Sequence, residues 1–501
     1  MSESASPGHD HLQRGLSNRH LQLIAIGGAI GTGLFLGSGK VISLTGPSVL
    51  FIYAVIGCMM FFLMRALGEI LLSNLNYKTF GDIAKDLIGP WAGFMVSWTY
   101  WFTWVVICVA DIIAITSYVS YINASIPHWI PALVTALALV ILNLQPVRFF
   151  GEIEFWFSLI KIVAILALIV TGIVLLVTGF TNPDTGTSAQ LSHIWSHGGM
   201  FPFGLSGFLL GFQLGIFSFI GVELVGTAAA ETKDPHHNLP RAINSIVVRV
   251  LIFYIGALSI IMAITPWDKL DPDKSPFVTT FLYAGFGAAA FAINLVVLTS
   301  AASSANSGFY SGTRMMFALA QDGHAPKAFH ITDDRGVPRR AVFFSAVFVL
   351  SAVPILLLGE NVIEAFTMVT SVASTFILFI WSMILISYLR YLKLHPERHA
   401  ASKYRAPFGR VMPWIVLVFF AFIAFTMLLA KDTREPLLYT PIWFAILAVV
   451  WQLRKRRLIA EGKPITSAVQ LPGTGEDATA ADGADGADGA ETGTRTDFRA
   501  Q

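Results

Sequence analysis

Gly27-Gly28-Ala29-Ile30-Gly31-Thr32-Gly33 stands at the centre of the first long apolar run of the chain, residues 21–42. Four glycines in seven positions are poor helix interior, each costing roughly 1 kcal/mol relative to alanine. Unwound backbone in hydrocarbon survives only where it is buried in protein or lines a cavity, because lipid satisfies neither N–H nor C=O. The stretch therefore predicts a membrane helix made in two pieces. A packing face of small residues is the plainer alternative, and the density of glycine favours the break.

The remaining sequence places this run in a bilayer. Of 501 residues, 55% are hydrophobic and 13% charged, with a mean hydropathy of +0.66, against roughly 25% charged in soluble domains. A water-soluble globule is excluded. Apolar runs fall at 21–42, 49–72, 91–122, 130–144, 155–177, 203–230, 246–264, 282–318, 341–358, 362–391, 411–429 and 437–453, and about 20 apolar residues cross a bilayer core. Twelve transmembrane helices are expected. If the N-terminus is cytoplasmic, only Lys40, Lys269, Lys274, Lys431 and Arg434 fall in outside segments, while most other basic residues, including Arg454, Lys455, Arg456 and Arg457, fall inside. That bias puts both termini in the cytoplasm of a multi-pass cell-membrane protein.

Residues 1–18 are polar and show no cleavable signal pattern, so they are expected to be a cytoplasmic tail. Residues 19–455 form the twelve-helix domain. The segment 456–501, with Ala-Asp-Gly three times between 481 and 489, is expected to be a disordered cytoplasmic tail. Cys58 and Cys108 lie in separate apolar runs, which leaves plain packing rather than a disulfide. The net charge of +2 carries no signal for nucleic acid, and no nucleic-acid partner is expected.

A second break is expected in span 6, where Phe219-Ile220-Gly221-Val222-Glu223 sets a glycine beside an acid. Four complete spans separate it from span 1, so the two broken helices run in opposite directions. Discontinuous helices at corresponding positions of two inverted five-span halves point to a secondary transporter with its site at the midplane. The expected fold is all-α integral membrane, an inverted five-plus-five repeat with two extra C-terminal helices.

Helix ends dictate the chemistry. The second half of span 1, from Ile30 through Gly31, Thr32 and Gly33, offers unpaired N–H groups and a positive dipole end to a carboxylate. Carbonyls ending the first halves, near Ile26, Phe217 and Ser218, suit an ammonium. An α-amino acid satisfies both. The candidate substrate-binding set is Ile26, Gly27, Gly28, Ile30, Gly31, Thr32 and Gly33 with Phe217, Ser218, Phe219 and Gly221.

Among ionisable residues in the spans, Lys161 lies about seven residues, roughly 10 Å, into span 5. It either snorkels to the interface or loads and releases a proton, since an ammonium that deep is costly. Glu223 either accepts an ammonium or proton or satisfies loose backbone amides. Arg65 and Glu69 are four apart and able to pair on span 2, with a structural role favoured. Asp111 is placed near the outer rim of span 3, again structural. The polar run 299–307 either faces Lys161 or packs helices. All twelve histidines lie in loops, tails or span ends, so a membrane-embedded enzyme, a metal site or a histidine relay has no ligands to use. A channel would need a polar stripe along several spans. No cofactor is expected, only a proton gradient.

Leu16-Ser17-Asn18-Arg19-His20 running into residues 27–39, Arg65-Ala66-Leu67-Gly68-Glu69, Phe155-Trp156-Phe157 with Lys161, Glu223-Leu224-Val225-Gly226 with Glu231, Pro240-Arg241-Ala242-Ile243-Asn244 and Ser303-Ser304-Ala305-Asn306-Ser307-Gly308 resemble bacterial permeases of the amino acid/polyamine/organocation superfamily. The resemblance covers about residues 12–455 and implies the leucine-transporter-type fold. It also implies proton-coupled import of small zwitterionic amino acids such as glycine, D-alanine, D-serine and L-alanine, with D-cycloserine as an analogue. In such permeases the lysine matching Lys161 stands where others bind sodium. Preference for the D-isomer comes from the resemblance alone, and a permease for an aromatic, basic or GABA-like amino acid stays open beside it.

Overall fold

The computed structural model describes residues 30–145, 147–181, 186–229, 234–359 and 361–461. Ile26, Gly27 and Gly28 of the expected site, the tail 1–18 and residues 462–501 lie outside them. Every named element among the described residues is helical, and one β-bridge joins Thr181 to Ser188. Nine helical segments among these residues are long and apolar enough to cross a membrane, and Trp129–Asn143 and Val411–Met427 are shorter apolar helices.

The first described helical element is a π-helical turn, Gly33–Gly37, leading into α1 (Ser38–Thr45). Gly46 then turns it into α2 (Val49–Ser73). Its φ of +58° belongs to glycine, and a Cβ there would meet Pro202 Cγ at 2.4 Å. A Thr79–Asp82 capping box starts α3 (Phe80–Leu87), and Pro90 opens α4 (Pro90–Ile122). There follow α5 (Trp129–Asn143), α6 (Val147–Val177), α7 (Gly204–Gly215), α8 (Leu224–Ala229), α9 (Pro235–Arg249), α10 (Ala257–Ile264), α11 (Pro276–Tyr283) and α12 (Gly287–Gln321). The last are α13 (Arg339–Val349), α14 (Ala352–Leu358), α15 (Val362–Leu394), α16 (Val411–Met427) and α17 (Lys431–Ala460).

Three expected boundaries change. The run 282–318 is split at Gly285 (φ +81°), which ends α11 and lets α12 start at Gly287. The run 341–358 divides into α13 and α14. The helix expected at 437–453 extends from Lys431 to Ala460, so Arg454 to Arg457 are helical and the boundary expected at 455 falls inside α17. Long basic side chains let a helix run past the hydrocarbon, since their heads reach water.

Lipid gives apolar side chains no reason to leave it, so close packing of small residues holds such helices together. α4 is buried almost all round, with α12 along it, and a Cβ on Gly308 would lie 2.5 Å from Trp104 Cε3. Gly57 admits Val250 and Gly226 admits Leu67 in the same way. α6 instead shows Val163, Val170, Val174 and Val177 to its surroundings.

Arg65 and Glu69 do not pair with each other. Buried Glu69 has Oε1 2.5 Å from His399 Nδ1, and its Oε2 accepts from Tyr388 OH and the Ala406 N–H, both at 2.7 Å. Arg65 stacks on the Tyr404 ring at 3.8 Å and donates to the Arg405 carbonyl. Both residues pin the α15–α16 connection onto α2, the structural role expected of them with different partners.

His324, in the turn after α12, packs its ring against Phe94 and Trp451, and its carbonyl accepts from Trp98 Nε1 at 3.1 Å. Burial, with Arg454 and Lys85 nearby, pushes its pKa from 6.5 down to about 4. Between those values the unfolded chain binds the proton and the folded one does not. Stability is thus lost as pH falls from 6.5 to 4, by on the order of 3 kcal/mol, and is flat below. Purified wild type should lose thermal stability across that window relative to His324→Gln. Parallel melting curves would disprove the assignment.

Candidate functional site

The second break is present. At the first, where the residues before Ile30 lie outside the described ones, Ile30 and Gly31 are non-helical and helix runs from Thr32 and Gly33 onward. The N–H groups of Leu34 and Phe35 return to the Gly31 carbonyl at 3.2 and 3.3 Å, so among the described residues the amides of Thr32 and Gly33 head the helix without intrahelical acceptors. At the second, α7 tightens into a 3-10 turn, Ile216–Phe219, Ile220 is extended, and Gly221 takes φ +95° before α8 begins. Glycine is required there by backbone conformation. The two breaks touch. A Cβ on Gly33 would lie 2.7 Å from Ser218 Cα and 2.9 Å from Phe217 Cδ1.

Between them lies a small cavity of about 20 Å³. Gly31, Thr32 and Gly33 line one side, and Phe217, Ser218 and Ile220 the other. α4 supplies Trp104, Ile107 and Asp111, and α12 supplies Ser304. Trp104, Ile107 and Asp111 are spaced three and four apart, which sets them on one helix face. Phe35 meets Phe277 of α11 at 4.9 Å between ring centres, and a Cβ on Gly39 would sit 2.9 Å from the Lys274 carbonyl, seating α11 and its approach on α1.

Asp111, expected near the rim in a structural role, is instead the cavity's carboxylate. It is fully buried, and Thr32 Oγ1 donates to its Oδ1 at 2.7 Å. The Ser304 hydroxyl approaches the same carboxylate, and Oδ2 is left without a hydrogen bond among the described residues. Hydrophobic patterning could not reveal this, because a helix buried on every face has no polar side. The available signal was the i, i+7 spacing of Asp111 from Trp104 within an otherwise apolar run.

The expected carbonyl acceptors are already engaged. The Phe217 carbonyl accepts from the Ile220 N–H at 3.1 Å, and that of Ser218 from Tyr254 OH at 2.7 Å. Ile30 does not line the cavity, and its carbonyl accepts from Ser300 Oγ at 3.3 Å. Phe219 lies outside it too, stacked on Tyr254 at 4.9 Å. Glu223 is buried behind the second break, where its Oε2 accepts from the Gly221 N–H at 3.1 Å. That bond matches the backbone-satisfying role and leaves the carboxylate off the cavity wall.

Lys161 does not snorkel. Only 1% exposed, it lies within electrostatic reach of Asp111 and Glu154. The polar run on α12 faces these groups, with Ser304 beside Asp111 and Ser303 on Glu154 at 2.8 and 2.9 Å. Among the described residues no cluster of His, Cys, Asp and Glu could hold a metal ion. The arrangement can hold a cationic group at Asp111 and an anionic one at the helix start.

The amino acid permease family model matches residues 20–462. The chain is 52% identical to the D-serine/D-alanine/glycine transporter of Escherichia coli strain K12 over 92% of its own length and 98% of that protein. It is 48% identical to the amino-acid permease AapA of Bacillus subtilis (89% and 96% covered), and 37% to the aromatic amino acid transport protein AroP of Escherichia coli O6:H1 (89% and 97%). With a match along nearly its whole length, this chain belongs to the amino acid permease family.

Proposed function

We propose that the chain imports small neutral amino acids, glycine, D-alanine, D-serine and L-alanine, by proton symport with alternating access across the cell membrane. The observation that carries this reading is Asp111 on the wall of a cavity between two helix breaks, with buried Lys161 behind it. The substrate carboxylate takes the Thr32 and Gly33 amides, and its ammonium takes Asp111, in place of the carbonyls favoured by sequence. Trp104, Phe217 and Ile220 line the cavity and take up the space a large side chain would need, which favours small substrates, D-cycloserine included, over aromatic ones.

Division of Gly33–Ser73 at Gly46, together with the two short apolar helices, supports twelve crossings, ten of them in inverted halves with both termini inside. The relative named for D-serine, D-alanine and glycine supports the substrate class.

The test uses protein reconstituted in vesicles under an imposed pH gradient. Labelled glycine should accumulate, and D-alanine, D-serine and L-alanine should compete while phenylalanine and lysine do not. Glycine methyl ester and acetate should each compete at least about tenfold more weakly than D-alanine, since each lacks one charge-assisted contact. Equal competition by either would move the substrate off these two helix breaks.

A further inference from the structure

Lys161 has two carboxylates within reach, and only one lines the cavity. The other, Glu154, precedes it on α6 by seven residues, two turns or roughly 10 Å along the axis. That spacing puts Glu154, Ser158 and Lys161 on one helix face, and all three are buried. Among the described residues, both Glu154 oxygens share one neutral donor, Ser303 Oγ, at 2.8 and 2.9 Å. Glu69, which holds helices together, collects three partners, Tyr388, His399 and the Ala406 N–H. Among the described residues, Lys161 on its own helix is the charged group shown near Glu154, Asp111 from α4 lies near Lys161 in turn, and α12 presents the uncharged Ser303.

We propose that Glu154 is a second proton station, taking the proton from Lys161 and passing it toward the N-terminal end of α6, the cytoplasmic end in the proton-coupled reading on which this inference rests. Substrate drives the step. When the substrate ammonium takes Asp111, that carboxylate no longer balances the Lys161 charge. One N–H bond of the ammonium breaks with its electron pair kept on nitrogen, and an O–H bond forms on Glu154, leaving a neutral amine and a neutral acid. The acid then gives its proton to water at the inner end, restoring the carboxylate, and Lys161 is reloaded from outside.

Glu154→Gln in reconstituted vesicles tests this. Counterflow exchange of D-alanine, which needs no net proton movement, should stay within about twofold of wild type, while pH-gradient-driven accumulation should fall at least about tenfold. Undiminished accumulation, or equal loss of exchange and accumulation by folded protein, overturns the relay. If that variant does not fold, Ser303→Ala keeps the carboxylate and removes its donor. It should shift the pH of half-maximal accumulation by about half a unit or more, and an unchanged profile overturns the proposal. Wild type that exchanges D-alanine but ignores the gradient would defeat proton coupling itself, a result distinct from failure of the Glu154 variant alone.

Discussion

Asp111→Asn should leave a folded protein that binds glycine and D-alanine roughly 10- to 100-fold more weakly. The amide is nearly isosteric and still accepts from Thr32 Oγ1, the 2.7 Å bond that ties α4 to the first break, so helix packing is kept. What disappears is the negative charge. A hydrogen bond to a charged group contributes about 1.5–3 kcal/mol, or roughly 10- to 100-fold in affinity. Ligand-induced thermal stabilisation measures this directly, since a bound amino acid raises stability in proportion to the logarithm of its concentration over Kd. Wild-type stabilisation of the variant by D-alanine would remove Asp111 from the binding site.

Gly33→Ala should abolish transport and lower thermal stability, whereas Gly31→Ala should insert and fold normally. The added methyl at position 33 would come within 2.7 Å of Ser218 Cα and 2.9 Å of its backbone nitrogen. Backbone cannot swing aside as a side chain does, so the two broken helices must part, at about 1–3 kcal/mol of overpacking. At position 31 the nearest atom is Ser304 Oγ at 3.4 Å, an ordinary contact, and the methyl would only shrink the cavity. Uptake and melting temperature of the pair decide the point. Equal behaviour of the two variants would show that the breaks do not meet where Gly33 crosses Ser218.

Much of the architecture was legible in sequence because its causes are local. Run length and composition make membrane helices, and the glycine beside an acid in span 6 marks the break that Gly221 makes with its positive φ. The depth of Lys161 was readable from its distance into span 5, and its burial at 1% agrees. Gly31, Thr32, Gly33, Phe217 and Ser218 do line one cavity.

Tertiary structure alone decided which charges meet. Asp111 is 79 residues from Thr32 and Glu154 is 149 from Ser303, and the Ser218 carbonyl was claimed by a tyrosine 36 residues on. In a soluble protein, water marks the outer face of each helix and periodicity shows what points inward. In a bilayer both the lipid and the protein interior are apolar, so a helix such as α4, buried on every side, gives no pattern to say which face meets the cavity. Packing against α12 and the first break turned Asp111 inward, and only that packing made it the site's carboxylate.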